Sequence, residues 1–103
     1  MKRIINGKRY NTETAEELHN WSNGLGGSDF RNRDESLYRT KNGAYFLSGE
    51  GGPMTQWSQA CGNMTSGGEG IIPMTDAEAR RWLEEHDGHD ALETHFGSTI
   101  PDA

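Results

Sequence analysis

Apolar residues alternate with polar ones around two Asn-Gly pairs, Asn6-Gly7 and Asn42-Gly43, and recur at helical spacing in three other segments. Asn-Gly between alternating segments predicts a two-residue hairpin, because a type I′ turn needs positive φ at both central residues. The first hairpin, Arg3–Tyr10, sets Ile4 opposite Arg9 and Ile5 opposite Lys8. The second, Leu37–Ser48, pairs Lys41 with Ala44, Thr40 with Tyr45, Arg39 with Phe46 and Tyr38 with Leu47. That register puts Tyr38, Thr40, Tyr45 and Leu47 on one face, and its two aromatics and leucine mark it as the core face.

Helical spacing begins after Asn11 or Thr12, either of which is a cap. Ala15, Leu18 and Trp21 form its stripe, and Asn23-Gly24 ends it. Met54, Trp57 and Cys61 predict a short helix from Pro53 to Cys61. The clearest helix opens with a capping box at Thr75-Asp76-Ala77-Glu78. Its inward stripe is Ala79, Trp82, Leu83 and His86, and Gly88 closes it. A second turn or helix follows through Ala91, Leu92 and Phe96, stopped by Gly97. Residues 24–35 read as an ordered loop anchored by Phe30, and Ile71-Ile72 as a short strand. The expected fold is α+β: a small antiparallel sheet built from the two hairpins, with two to four short helices against it. It occupies residues 1–97 as one domain, with 98–103 as a loose tail.

Composition makes the core thin. Apolar residues are 31% of the chain, against roughly 45–50% in typical domains, a figure that also counts Gly. Trp21, Trp57 and Trp82 are expected to carry much of the core, and self-association would help it. A single cysteine, Cys61, admits no intrachain disulfide, so a reducing compartment, the cytoplasm, is the simple reading. No apolar run reaches the roughly 20 residues of a membrane helix.

Charge is divided unevenly. Residues 1–75 hold eight acids and eight bases; residues 76–103 hold eight acids against Arg80 and Arg81, which gives the whole net charge of −6. Glu78, Glu84 and Glu85 point away from the helix stripe, and Asp87, Asp90 and Glu93 continue that surface. Acids fixed along an exposed face can imitate the phosphates of a duplex and meet a basic protein groove. The opposite pole is the first hairpin, where Lys2, Arg3, Lys8 and Arg9 sum to +4. With Arg39, and with Tyr10, Tyr38 or Tyr45 as stacking surfaces, it offers a rival reading as a nucleic-acid-binding regulator.

Catalytic chemistry has little support. His86, His89 and His95 lie among Glu85, Asp87 and Asp90, but Gly88 breaks the helix between the first pair and no His-Glu-x-x-His is present, so no metal site is assigned. Cys61 falls on an apolar stripe, where a buried inert thiol is expected. Gly24–Ser28 lacks the lysine of a phosphate loop, and Gly67–Gly70 precedes no helix start, so both read as turns. No cofactor and no catalytic residue are assigned.

Lys2–Ala15 (KRIINGKRYNTETA), Leu37–Leu47 (LYRTKNGAYFL) and Ile72–Glu85 (IPMTDAEARRWLEE) together resemble a family of short, mostly uncharacterised proteins encoded on bacterial phages and conjugative elements. The genetic setting of that family overlaps that of anti-defence genes, including small inhibitors of CRISPR–Cas effectors. The resemblance implies a mobile-element role and supplies no catalytic residues. Joined to the charge pattern, it leads to an expectation: a non-enzymatic protein that binds a host defence complex through Glu78, Glu84, Glu85, Asp87, Asp90 and Glu93.

Overall fold

The computed structural model describes every residue except Gly27, Ser28 and Asn63, and the side chains of all the others except Cys61. The turn expected over Gly24–Ser28 and the buried thiol expected at Cys61 therefore fall outside the described residues. The chain is α+β. In order it forms β1 (Lys2–Ile5), β2 (Lys8–Asn11), β3 (Glu16–Ser22), β4 (Arg33–Arg39), β5 (Tyr45–Gly51), β6 (Gln59–Cys61), β7 (Met64–Ser66), β8 (Gly68–Met74), α1 (Asp76–Glu85) and α2 (His89–Phe96), then a 3₁₀ turn over Gly97–Thr99. The main sheet is antiparallel in the order β3-β4-β5-β8, and β1-β2 and β6-β7 are separate two-stranded ribbons.

The sheet is therefore not assembled from the two expected hairpins. β1 and β2 pair with Ile5 opposite Lys8, and Asn6 and Gly7 between them have φ of 52° and 77°. That ribbon lies on the sheet rather than in it. Its Tyr10 and Ile5 pack with Phe46, Ile71 and Tyr38.

Between β4 and β5 the register is one residue from the expected one: Arg39 faces Tyr45, Tyr38 faces Phe46 and Leu37 faces Leu47. The cause is a three-residue loop. Thr40 N–H donates to the Ala44 carbonyl at 2.8 Å, Ala44 N–H donates to Thr40 Oγ1 at 3.0 Å, and Gly43 closes the loop at φ 87°. Hairpin loops of this length end on a left-handed residue. A one-residue shift sends every side chain to the other face. Leu37, Tyr45 and Leu47 thus share the core face with Trp57, Trp82, Leu83, Leu92 and Phe96. Tyr38 and Phe46 stack on the opposite face at 5.2 Å. Burial, and secondarily the charge of Glu17, raise the Tyr38 phenol above its ordinary pKa.

Residues 16–22 are a strand, not a helix. Asn11 does start a turn: its Oδ1 accepts from Glu13 N–H at 2.9 Å and its carbonyl from Ala15 N–H at 3.1 Å. The chain then leaves to pair with β4. The register shifts between Glu17 and His19, so Leu18 is the extra residue of a bulge. A bulge adds one residue to the two-residue repeat of a strand. Leu18 and Trp21, three apart, therefore both reach the helix-side core, and the bulge reproduces helical spacing.

The helix expected at Pro53–Cys61 is replaced by turns and β6. Met54 N–H donates to the Phe30 carbonyl at 2.8 Å and Ser58 N–H to Thr55 at 3.1 Å, while Trp57 turns inward. Phe30 is no anchor, being 64% exposed. Its loop is held by polar groups instead, with Asn23 Nδ2 donating to the Arg31 carbonyl at 2.7 Å and Asn23 Oδ1 accepting from Arg33 N–H at 3.1 Å. Ile71 and Ile72 belong to the seven-residue β8.

α1 carries its capping box: Thr75 Oγ1 accepts from Glu78 N–H at 3.2 Å, and Glu78 Oε1 accepts from Thr75 N–H at 2.9 Å. Thr75→Ala is expected to lower stability by about 1 kcal/mol, read as a fall in the midpoint of thermal unfolding. The backbone N–H of Thr75 also holds the Glu78 carboxyl below the usual range. A depressed folded-state pKa means this support is present above the ordinary carboxylate pKa and is lost as pH falls through the folded value.

At the far end of α1, Asp87 adopts φ 60° and Gly88 N–H donates to the Leu83 carbonyl at 2.8 Å. This is a Schellman-type stop with aspartate at the left-handed position. A Cβ on Gly88 would meet Leu83 Cδ2 at 2.5 Å, so the corner to α2 needs glycine. Ile100, beyond α2, packs against the same core.

Candidate functional site

Helix α1 is held to the sheet by a buried carboxylate. Glu35 on β4 is 1% exposed. Its Oε1 accepts from Trp82 Nε1 of α1 at 2.9 Å, and its Oε2 from Trp57 Nε1 at 2.8 Å and Gln56 Nε2 at 2.6 Å. Arg33 Nε lies 3.5 Å from Oε2, and the Arg33 guanidinium sits 4.7 Å over the Trp21 ring. A buried charge is costly unless paired and hydrogen-bonded, and Glu35 is both. It ties β4, the 52–58 turn and α1 to one point.

Glycines make room for this. Gly49 on β5 faces Glu35, and Gly70 on β8 faces Gly49. The Trp57 indole occupies that lane: a Cβ on Gly49 would lie 2.3 Å from Trp57 Cζ2, and one on Gly70 3.6 Å from Cζ3.

Histidines complete the joint between β3 and α1. His19 Nε2 donates to the His86 carbonyl at 2.8 Å, and His86 Nδ1 donates to the Trp82 carbonyl at 2.7 Å. A carbonyl only accepts, so these contacts assign the proton to Nε2 of His19 and to Nδ1 of His86. The His86 ring packs at 4.4 Å from Trp21 and 4.7 Å from Trp82.

The three histidines considered for a metal go to different partners. His86 is buried as above, His89 Nε2 is 3.8 Å from Asp87 Oδ1, and His95 Nε2 is 3.4 Å from Glu16 Oε1. Among the described residues, no group of three or more His, Cys, Asp or Glu side chains is placed to hold a metal ion.

The acidic residues singled out from the sequence are exposed. Glu78, Glu84 and Glu85 lie on α1, Asp87 at the corner, and Asp90 and Glu93 on α2. Glu78 is partly committed to the cap. The other five project from two short helices and the corner between them, the opposite sides of the helices being fixed by Trp82, Leu83, Leu92 and Phe96.

Lys2, Arg3, Lys8 and Arg9 are exposed on the β1-β2 ribbon, and Arg39 is exposed at the end of β4. The stacking rings that single-stranded nucleic acid would need beside them are engaged elsewhere. Tyr10 packs edge-on to Phe46 at 5.5 Å, Tyr38 stacks on Phe46, and Tyr45 packs on Phe96 at 5.4 Å.

A further acidic feature had no signal in the sequence. Asp34, Glu50 and Glu69, from three separate segments, face one another across β4, β5 and β8. They form a row of carboxylates on the sheet face opposite the helices. Beside the row is an open cavity of about 730 Å³, rimmed by Leu25 and Phe30. Only the strand register brings these residues together.

No family model, curated protein or solved structure matches this chain. No helix among the described residues is long and apolar enough to cross a membrane.

Proposed function

We propose that this chain acts by binding rather than catalysis. The acidic side of α1 and α2 occupies a basic, nucleic-acid-handling groove on a protein partner, a CRISPR–Cas effector in the cytoplasm of a bacterial host. The observation that carries the reading is the set of exposed carboxylates Glu84, Glu85, Asp87, Asp90 and Glu93 on α1, α2 and the corner between them, with α1 bonded to the sheet through Glu35 and α2 packed on it by Leu92 and Phe96. A duplex presents about one negative charge per 1.7 Å of its axis. Carboxylates on a packed helix pair present a sparser array of negative charge, without the entropy cost of ordering a flexible tail. Complementary potential also accelerates encounter and rejects acidic partners.

The test is a plasmid-interference assay with the chain expressed beside candidate CRISPR systems. The parent is expected to protect the targeted plasmid against at least one system. The double variant Glu84→Lys, Glu85→Lys is expected to weaken effector binding by at least about tenfold while its circular dichroism stays unchanged. Full protection by that variant removes the helix-face mechanism, and lack of protection by the parent against every system removes the anti-defence role.

A further inference from the structure

The sheet face opposite the helices carries two charged poles that make no ion pair among the described residues. At one end lies the β1-β2 ribbon. Its inner side, with Tyr10 and Ile5, packs on the sheet. Pairing of Lys2 with Asn11 and of Ile4 with Arg9 puts Lys2, Ile4 and Arg9 on the outer side. Both cations there are exposed, and Ile4 between them is 68% exposed.

At the other end is the in-register row Asp34, Glu50 and Glu69. Among the described residues none of the three forms an ion pair; Asp34 accepts one hydrogen bond, from Asn20 Nδ2 at 2.9 Å. Like charges directly opposite on neighbouring strands are destabilising. The row is a place where an opposite charge would be favourable.

The poles are separated along the strands. The ribbon touches β5 at Phe46 and the row crosses β5 at Glu50, about 13 Å away at the usual strand rise. The molecule is thin, 48 × 34 × 20 Å, which fits one helical layer on one sheet whose other face carries the ribbon at one end, with Met1 lining a small hollow beside Asp34, Glu50 and Glu69. A face bounded by the two longer extents has room for the roughly 800 Å² per partner of a stable interface.

We propose that this face is a self-association surface. The outer side of one ribbon docks on the carboxylate row of a second copy, with Ile4 directed to the cavity rimmed by Leu25 and Phe30. A two-fold axis lying in the plane of the contact and running across the strands sets each basic ribbon over the other copy's acidic row, so the contact is made twice and closes. The helices stay on the outside of both copies. Their acidic sides face away from each other, so the repulsion between two chains of charge −6 is kept at a distance. Glu84 and Glu85 remain free, and dimerisation stands or falls separately from partner binding by the helices.

Sedimentation equilibrium of the full chain tests this with two charge-reversed variants. One carries Glu50→Lys and Glu69→Lys, the other Lys2→Glu and Arg9→Glu. The parent is expected to dimerise, with a dissociation constant that rises at least about tenfold between about 0.05 and 0.5 M salt. Each variant alone is expected to be monomeric with an unchanged circular dichroism spectrum. An equimolar mixture of the two should recover the dimer, because both contacts in the mixed pair are again opposite in sign.

A parent that is monomeric at every concentration and salt overturns the proposal. So does a dimer unaffected by salt and by both variants, or a mixture that stays monomeric although each variant is folded. A monomeric parent that binds a polyarginine peptide, and loses it on Glu50→Lys with Glu69→Lys, also overturns it and gives the row to a foreign basic protein.

Discussion

Glu35→Ala is expected to cost about 3–5 kcal/mol, a large share of the roughly 5–15 kcal/mol that holds a domain of this size folded. The carboxylate is the common acceptor for Trp57, Trp82 and Gln56, and it faces Arg33. Alanine leaves two buried indole N–H groups without partners, each at a cost of about 1–3 kcal/mol, while the amide of the exposed Gln56 can turn to water. Arg33 Nε, already without a hydrogen bond, loses its counter-charge as well. Glu35→Gln separates shape from charge. Its single carbonyl serves one indole, but its NH₂ is set against the other indole's N–H, donor to donor. A loss of about 2 kcal/mol is expected. Urea denaturation followed by tryptophan fluorescence reads both variants, since two of the three tryptophans bond to this group. A Glu35→Ala protein as stable as the parent would show that the buried carboxylate does not hold the layers together.

Gly49→Ala is expected to be nearly as damaging, at about 3 kcal/mol, although it adds one methyl group. The new Cβ would lie 2.3 and 2.5 Å from Trp57 Cζ2 and Cε2. Neither side has slack, because Gly49 is backbone in the middle of β5 and the Trp57 indole is buried and hydrogen-bonded. Overpacking of a core costs about 1–3 kcal/mol, and displacing the ring also breaks its bond to Glu35. The two variants disrupt one contact, so their effects should not add. The double variant is expected to be less destabilised than the sum by at least about 1 kcal/mol in a double-mutant cycle. Additive effects would mean that Trp57 is seated independently of Glu35.

Where the chain was legible, the signal was local. The capping box at Thr75 and the stripe Ala79, Trp82, Leu83 and His86 define α1, and Ala91, Leu92 and Phe96 define α2, because caps and helical stripes act within one or two turns. The same locality misled where a distant strand intervened. Leu18 and Trp21 have helical spacing because a bulge inserts a residue into β3. Met54, Trp57 and Cys61 have it too, yet Trp57 is drawn to Glu35, 22 positions earlier. Asn42-Gly43 signalled a turn correctly in place, but the third loop residue shifted the register and exchanged the faces of Leu37 and Tyr38.

The exposed acids of α1 and α2 were readable because exposure follows from an amphipathic helix. The row Asp34, Glu50 and Glu69 was not, since each residue is an ordinary polar position until three strands align.

The sequence by itself determined the α+β class, the C-terminal helices and the charge carried on them. All of these rest on interactions between near neighbours in the chain. Tertiary structure alone decided that residues 16–22 pair as a strand, that Glu35 becomes the buried acceptor for two tryptophans, and that three carboxylates stand in a row. Each depends on register between segments far apart in sequence, and register is settled by the sum of cross-strand contacts and the burial of one sheet face.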